Sequence, residues 1–366
     1  MKILQIIPEL NVGGTETGTI DLAEFLVQEG YEAFVISHGG QLVEKLNRVG
    51  ANHTKLPVHK KSPLSIWWTT QKVINFIEEN NIDLIHARSR VPGWIGYLIT
   101  RQKRIPWITT CHGYYTPHFG SRVMGWADKV IVASSSVYSH MKNNFHVPED
   151  KLIIIPRGIH VEHFPFSPKE FNKNELILGT MGRITPIKGH HVFIEIVEKV
   201  KNLLPHIHVL GFIYGNVPEK HRNYFESLKK MISQKGLEKN VFLMPAVPSP
   251  HKALKEMHVF LFPTIHPEGF GRVILEAQAT GVPVIASKLG GTLDIIDEKV
   301  NGFLIEPLNI DHYAQRVCEL TQDIDFRNKL ILNARQKVEE KFSHIKMCQK
   351  TLSLYKEKLQ HINPTN

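Results

Sequence analysis

The stretch Pro263-Thr264-Ile265-His266-Pro267-Glu268-Gly269-Phe270-Gly271-Arg272-Val273-Ile274-Leu275-Glu276-Ala277 holds the residues best suited to chemistry. It follows a short apolar run, so Glu268 falls in a loop beyond a strand end. Gly269 and Gly271 permit close backbone approach. A helix starts near Gly271, and its open N–H groups favour an anion. Glu276 lies about a turn and a half into that helix. Carboxylates accept hydrogen bonds from hydroxyls, which suits a sugar or a ribose. Two glutamates at this spacing are common by chance; the Gly-Phe-Gly context makes the pattern specific.

A second stretch, Met181-Gly182-Arg183-Ile184-Thr185-Pro186-Ile187-Lys188-Gly189, sets two cations just after a strand and before a helix. Arg grips phosphate oxygens with two parallel bonds, and Lys adds a mobile point charge. The plain alternative is two solvated surface cations; the strand-end position and flanking glycines favour phosphate. A third feature, Gly13-Gly14 before a helix, reads as a phosphate-approaching loop or as a simple tight turn. The surrounding Asn11–Gly18 lacks G-x-G-x-x-G, and the second strand ends in Ser37-His38 rather than an acid. Both absences argue against a nicotinamide cofactor.

These residues need a scaffold, and the pattern supplies one. Lys2–Ile7, Ala33–Ser37, Leu84–His86, Trp107–Thr110 and Val130–Ala133 read as buried parallel strands. Helices over Thr15–Glu29, Leu42–Val49, Ser65–Asn80 and Ser136–Phe145 alternate with them. The rhythm restarts with strands Leu176–Met181, Ile207–Tyr214, Val241–Met244, Val259–Pro263 and Val282–Ala286. This predicts an α/β protein of two doubly wound, Rossmann-like domains facing across a cleft, spanning 1–164 and 165–344. The boundary region His163–Asn174 is polar and broken by Pro165 and Pro168.

The chain has 366 residues, 42% hydrophobic and 22% charged, an ordinary globular composition. Its three cysteines, Cys111, Cys318 and Cys348, are far apart, which excludes a disulfide framework and a cysteine zinc site. No run is long enough to span a bilayer, and Pro8 and Glu9 end the first apolar run too soon for a signal peptide, so a cytoplasmic location is expected. The net charge of +9 attracts anions. Neither zinc-finger spacing nor an RNA-binding aromatic motif is present, so no nucleic-acid partner is expected. Asp323-Ile324-Asp325 spells D-x-D but sits where an Asp caps a helix, and His190-His191 read as surface residues; no metal is assigned.

Taken together, the two-glutamate loop, the Gly-Arg…Lys-Gly segment, the Gly-Gly loop and Ala279–Gly291 resemble the family-4 retaining glycosyltransferases of the GT-B fold. The resemblance covers nearly the whole chain and is strongest over Leu176–Pro307. It implies a nucleotide-sugar donor held mainly by the second domain and a glycan or glycolipid acceptor held by the first. It also implies a last helix, about Ile345–His361, by which 345–366 returns to the first domain. Arg183 and Lys188 would grip the donor diphosphate, and Gly13 and Gly14 would approach it from the first domain. Glu276 would bind ribose hydroxyls and Glu268 the transferred sugar, with Gly269 between them in contact and the Phe270 and Gly271 amides supporting. His112 matches the family's active-site histidine, against the alternative of a buried core histidine. The reaction would retain anomeric configuration without metal or cofactor, the leaving phosphate taking the acceptor's proton.

For the acceptor, Arg88 and Arg90 at a strand end suit an anionic group, and Tyr114 and Tyr115 can stack on sugar. The resemblance favours a cell-envelope acceptor, lipopolysaccharide core first. Lys60-Lys61 with Trp67-Trp68 suit an anionic membrane interface, or else the tryptophans are core and the lysines solvated. Pro156-Arg157-Gly158-Ile159-His160 departs from the family's usual Pro-Asn-Gly-x-Asp, which bears on the acceptor more than the donor. A nucleotide-sugar epimerase on the same fold, or a non-catalytic nucleotide-sugar-binding subunit, are the alternative functions.

Overall fold

A computed structural model describes residues 1–11, 13–171 and 174–360. The chain divides into two compact units. The first is Met1–Gly158 together with the chain from His344 onward, and the second is Ile159–Ser343. The division falls between Gly158 and Ile159 rather than at 164/165. The cause is local: Ile159 N–H donates to Phe342 O at 2.9 Å, and Arg335 Nη1 donates to Phe164 O at 2.6 Å, tying the segment after Gly158 to the second unit. Of the polar boundary stretch, Asn172 and Lys173 lie outside the described residues.

The first unit's sheet contains β1 (Lys2–Ile6), β2 (Glu32–Ser37), β3 (Asn52–Lys55), β4 (Leu84–Ala87), β5 (Trp107–Cys111), β6 (Lys129–Val132) and β7 (Leu152–Ile154). Its order is β3-β2-β1-β4-β5-β6-β7, and every pairing is parallel. The second unit's sheet contains β8 (Glu175–Met181), β9 (His208–Tyr214), β10 (Val241–Met244), β11 (Val259–Phe262), β12 (Val284–Ser287) and β13 (Phe303–Ile305). Its order, β10-β9-β8-β11-β12-β13, repeats the same winding. Central strands such as β4 and β11 are buried at every residue, as aliphatic runs covered by helices on both faces must be.

The strand order reverses beside β1 and β4 in one unit and beside β8 and β11 in the other. Chain leaving those strands diverges to opposite faces, which opens a crevice at the carboxyl ends. Gly13-Gly14 follows β1, Arg183 and Lys188 follow β8, and Glu268 follows β11, so the motifs occupy the two switch points.

Three elements were invisible to the alternation of apolar runs. Strand β3 is half exposed. Strand β13 has three residues. Helix Arg90–Thr100 starts directly after β4, inside a stretch read only for its cations. The final helix, His344–Gln360, buries Met347, Cys348, Leu352, Leu354 and Tyr355 in the same cluster as Ile20, Leu22 and Ile131 of the first unit; His361 lies outside the described residues. Asp323 caps helix Ile324–Lys341, its carboxylate accepting from Phe326 N–H at 2.9 Å.

Candidate active site

In the second unit, three loops converge at the carboxyl ends of β8, β11 and β12. The loop after β8 is pinned at both ends: Gly182 N–H donates to Tyr214 O and Ile184 N–H to Asn216 O, both at 2.9 Å. Ile184 is buried while Arg183 between them is exposed. His190, at the start of helix His190–Leu203, donates from Nε2 to Arg183 O at 3.2 Å. Burial, partly opposed by that bond, pushes His190 down to about 4, so it is neutral. The expectation that His190-His191 are surface residues is thus corrected. His190 is 1% exposed, and His191 is half-buried with Nδ1 2.9 Å from the Tyr224 hydroxyl. Both are drawn inward because the helix begins immediately after Gly189.

Gly189 is what allows the β8 loop to meet the β11 loop. Its φ is +68°, and a Cβ there would stand 1.8 Å from Pro263 O. The two loops are then laced: Thr264 Oγ1 donates to Ile187 O at 2.7 Å, and Ile265 N–H donates to the same oxygen at 3.0 Å. This brings Lys188 Nζ to 2.6 Å from Glu268 Oε2, both side chains 17% exposed, with Nζ also 5.2 Å over the Phe262 ring. Glu268 Oε1 is buried without a hydrogen-bond partner. The third loop, after β12, supports this carboxylate's backbone. Gly291 N–H donates to Glu268 O at 2.9 Å, and a Cβ at Gly290 would fall 2.5 Å from the same oxygen.

Gly271, at φ +98°, caps helix Arg272–Thr280 without a side-chain bond. Its neighbour Phe270 is anchored inward, its ring 5.8 Å from Phe342. Glu276 is 6% exposed, and its Oε1 accepts from Arg272 Nε at 3.0 Å. Burial raises its carboxyl above the ordinary value and the Arg272 charge opposes that. Two residues the sequence reading did not single out therefore belong to this constellation: Arg272, whose i to i+4 spacing from Glu276 was a usable signal, and Thr264, whose lacing role had none.

In the first unit, Gly13 caps helix Gly14–Gln28 with extended backbone. Thr17 Oγ1 donates to Gly13 O at 2.8 Å, and space around Gly14 is open. Arg157 donates from Nη2 to Gly14 O, and a Cβ on Gly18 would lie 3.0 Å from its Nη1. His112 follows β5, and both its ring nitrogens are buried without partners. Burial, then the charges of Arg157 and Arg88, hold it well below the ordinary imidazole value, so the ring is neutral.

The residues expected to meet an acceptor divide. Arg90 is half-exposed, its guanidinium 5.6 Å over the Tyr115 ring. Tyr114 is exposed, its ring 5.0 Å from His140. Arg88 is a correction: it is 4% exposed and donates from Nη1 to Gln5 Oε1 at 2.9 Å. Parallel pairing of β4 with β1 turns it under the sheet end, so it is an internal cation and not a solvent-facing acceptor contact. Apart from these sets, His160, Glu162 and His163 bring ligand-type atoms within 4.8 Å of one another, a group the sequence reading did not notice.

Comparison with known proteins bears on both units. Residues 163–337 match the model for glycosyl transferases group 1, and residues 12–163 match glycosyltransferase family 4. An uncharacterized glycosyltransferase of Methanocaldococcus jannaschii is 28% identical over 97% of this chain and 98% of its own. A Staphylococcus aureus capsular polysaccharide biosynthesis glycosyltransferase is 28% identical over 63% of this chain and 61% of its own. A crystallised glycosyltransferase from Rickettsia africae superposes with TM-score 0.88 at 28% identity, covering 98% of each chain.

Proposed function

Because this chain belongs to the glycosyl transferases group 1 family, with a first unit of family 4 type, we propose that it moves a sugar from a nucleoside diphosphate to an acceptor hydroxyl with retention of configuration. One observation carries the donor half. At the second sheet's switch point, exposed Arg183 and half-buried Lys188 share one loop system with Glu268. The bond from the anomeric carbon to the diphosphate oxygen breaks, and a bond from that carbon to the acceptor oxygen forms. The acceptor's proton passes to the departing phosphate. Charge grows on that phosphate as the bond breaks, and Arg183 and Lys188 are the groups that meet it. A diphosphate competes with Glu268 for Lys188, releasing the carboxylate to accept from sugar hydroxyls. Glu276 is committed on one oxygen to Arg272, so ribose binding uses its other oxygen. Phe270 and the glycines on either side, Gly269 and Gly271, present backbone amides.

On this reading neutral His112 offers a ring N–H to the transferred sugar, and Gly13 and Gly14 leave room for the donor's phosphate side. No metal or cofactor enters the step. The acceptor is a hydroxyl of a cell-envelope glycan or glycolipid, lipopolysaccharide core foremost, reached from the cytoplasmic side. Likeness to a capsular polysaccharide enzyme, half-exposed Arg90 and exposed Tyr114 support that class.

The test is a thermal-shift screen with uridine, guanosine and adenosine diphosphates, followed by product analysis with the matching sugar donor. One nucleotide should raise Tm, and R183A and K188A should each cut transfer by about 10²–10³. Near-normal turnover in both variants would sink the assignment. An isomerised donor formed without acceptor would point to the epimerase instead.

A further inference from the structure

The donor loops stand at the carboxyl ends of the second sheet. At its amino ends lies a separate cavity of about 530 Å³. Met257 and His258 lead into β11, Pro283 leads into β12, and all three line it. Helix Ile324–Lys341 contributes Arg327, Asn328 and Ile331, and the segment 166–171 completes the lining. That segment is fixed by hydrogen bonds. Ser167 N–H donates to Thr280 O at 2.8 Å, and Arg335 Nη1 donates to Phe164 O at 2.6 Å and to Ala279 O at 2.7 Å. His258 accepts from Ile177 N–H on Nδ1 at 2.8 Å and donates from Nε2 to Glu170 O at 3.1 Å. Both ring nitrogens are thereby used. Burial pushes His258 down to about 4, so it is a neutral strut and adds no charge to the wall. Gly281, at φ +89°, is where the segment crosses: a Cβ there would stand 2.9 Å from the Phe166 ring.

One buried charge borders this space. Arg327 is 7% exposed. Its Nη1 donates to Leu320 O, near the end of helix Ile310–Gln322, at 3.2 Å. The Phe171 ring covers one face of the guanidinium at 4.1 Å. Among the described residues Leu320 O is the one acceptor this side chain reaches, and no carboxylate pairs with it. Burial alone lowers it from the ordinary arginine value, and a guanidinium remains charged. With one face on Phe171 and Nη1 on Leu320, the Nε and Nη2 edge has no protein acceptor, and neither nitrogen is sealed in protein. That edge is the one that grips a carboxylate or phosphate with two parallel bonds. A buried cation is costly until an anion meets it. Nearby charges do not supply one: Lys169 is matched by Glu256 at 3.2 Å, and Glu170 is exposed at the rim. Ile324 and Leu332 complete that rim, 55% and 58% exposed.

We propose that this cavity binds a small organic anion. Its compact apolar body lies among Phe166, Phe171, Met257, Pro283 and Ile331, and its carboxylate, sulfonate or phosphate group takes the Nε and Nη2 edge of Arg327. The volume falls in the range that encloses one small ligand. The site shares no residue with the donor loops, so it stands or falls apart from the transferase reading.

The full chain is titrated with 8-anilinonaphthalene-1-sulfonate, an aromatic anion that fluoresces in apolar surroundings, and with N-phenyl-1-naphthylamine, the same body without the sulfonate. A single anion site per chain is expected, with the neutral probe about tenfold weaker or more. R327M should weaken the anion roughly 10–100-fold and leave the neutral probe unchanged. Because Arg327 also holds Leu320 O, I324E/L332E provides a second variant. Both of its side chains are exposed, so circular dichroism and Tm should match the parent, while carboxylates at the rim should weaken the anion by about fivefold or more. No anion binding, equal affinity for the two probes, or parental binding in both variants overturns the proposal. Displacement of the anion by uridine, guanosine or adenosine diphosphate would put the probe at the donor loops and also overturn it. Concentration-dependent self-association lost in I324E/L332E overturns it in favour of a second copy. A parent protein that binds the anion as expected yet binds no nucleoside diphosphate would fail the transferase reading alone.

Discussion

Lys188 shows how a single residue can be read correctly in type and incompletely in state. Its position after β8 follows from the sequence, but its pairing with Glu268 depends on Gly189 letting two distant loops touch. The neutral histidines belong to the same scale. His190 is held to about 4 by burial against an ordinary 6.5, and burial likewise depresses His86 and His112. A histidine depressed on folding is protonated more readily in the unfolded chain. Its stabilisation is therefore full above about pH 6.5 and is lost as pH falls toward the folded value. For His190 that window runs from 6.5 to about 4, with an upper bound of about 3 kcal/mol. Denaturant titrations at stepped pH should show stability falling across it, and H190N should flatten the slope. An unchanged slope would mean that His190 is not neutral and buried as described. Glu276, raised by burial, acts in the opposite sense as pH rises above the ordinary carboxylate value, so it does not mimic this loss.

At the level of elements, the proposed donor constellation is a set of turns rather than a set of side chains. Gly189, Gly290 and Gly291 each place backbone where a Cβ would meet a carbonyl or Cα of another loop within 2.5 Å. Gly215 does the same where β9 ends, 1.9 Å from Gly182 O. Gly189→Ala combines that clash with a left-handed φ of +68° and should cost about 3 kcal/mol or more. Calorimetry should show the loss in the second unit, and nucleoside diphosphate affinity should fall with it because Lys188 is the preceding residue. A Gly189→Ala protein with parental Tm would disprove the lacing. In the first unit, Arg157 plays the comparable part by binding Gly14 O beneath Gly18. This gives the departure Pro156-Arg157-Gly158 a structural meaning: it braces the glycine loop at the start of helix Gly14–Gln28.

Across the whole molecule, the order of the chain and the order of the units differ. The helix His344–Gln360 follows the second unit in sequence yet packs into the core of the first, and Tyr355 hydroxyl lies 2.5 Å from His86 Nδ1. Ending the chain at Ser343 should leave a large apolar face of the first unit open and remove the Tyr355 hydroxyl from His86 Nδ1, leaving buried His86 only its Thr110 partner. Hydrogen exchange should then lose protection in β1–β7 while β8–β13 stay protected, because the second unit keeps its own core. Equal loss in both sheets would show that the two units do not hold separate cores.

Much of this was determined by local sequence. Aliphatic runs buried on both faces read as central parallel strands, and motifs directly after them fall at strand ends, so the double winding and the placement of Arg183, Lys188 and Glu268 after strands, and of Glu276 in the helix that follows, were legible in one dimension. What depended on contacts between residues far apart was not. Arg88 reads as a surface cation until the β1–β4 pairing closes Gln5 over it, and Trp67 and Trp68 read equally as core or surface until the opposite face of their helix is seen to be the buried one. Burial and pairing are properties of three-dimensional neighbours, and only the tertiary structure decides who those neighbours are.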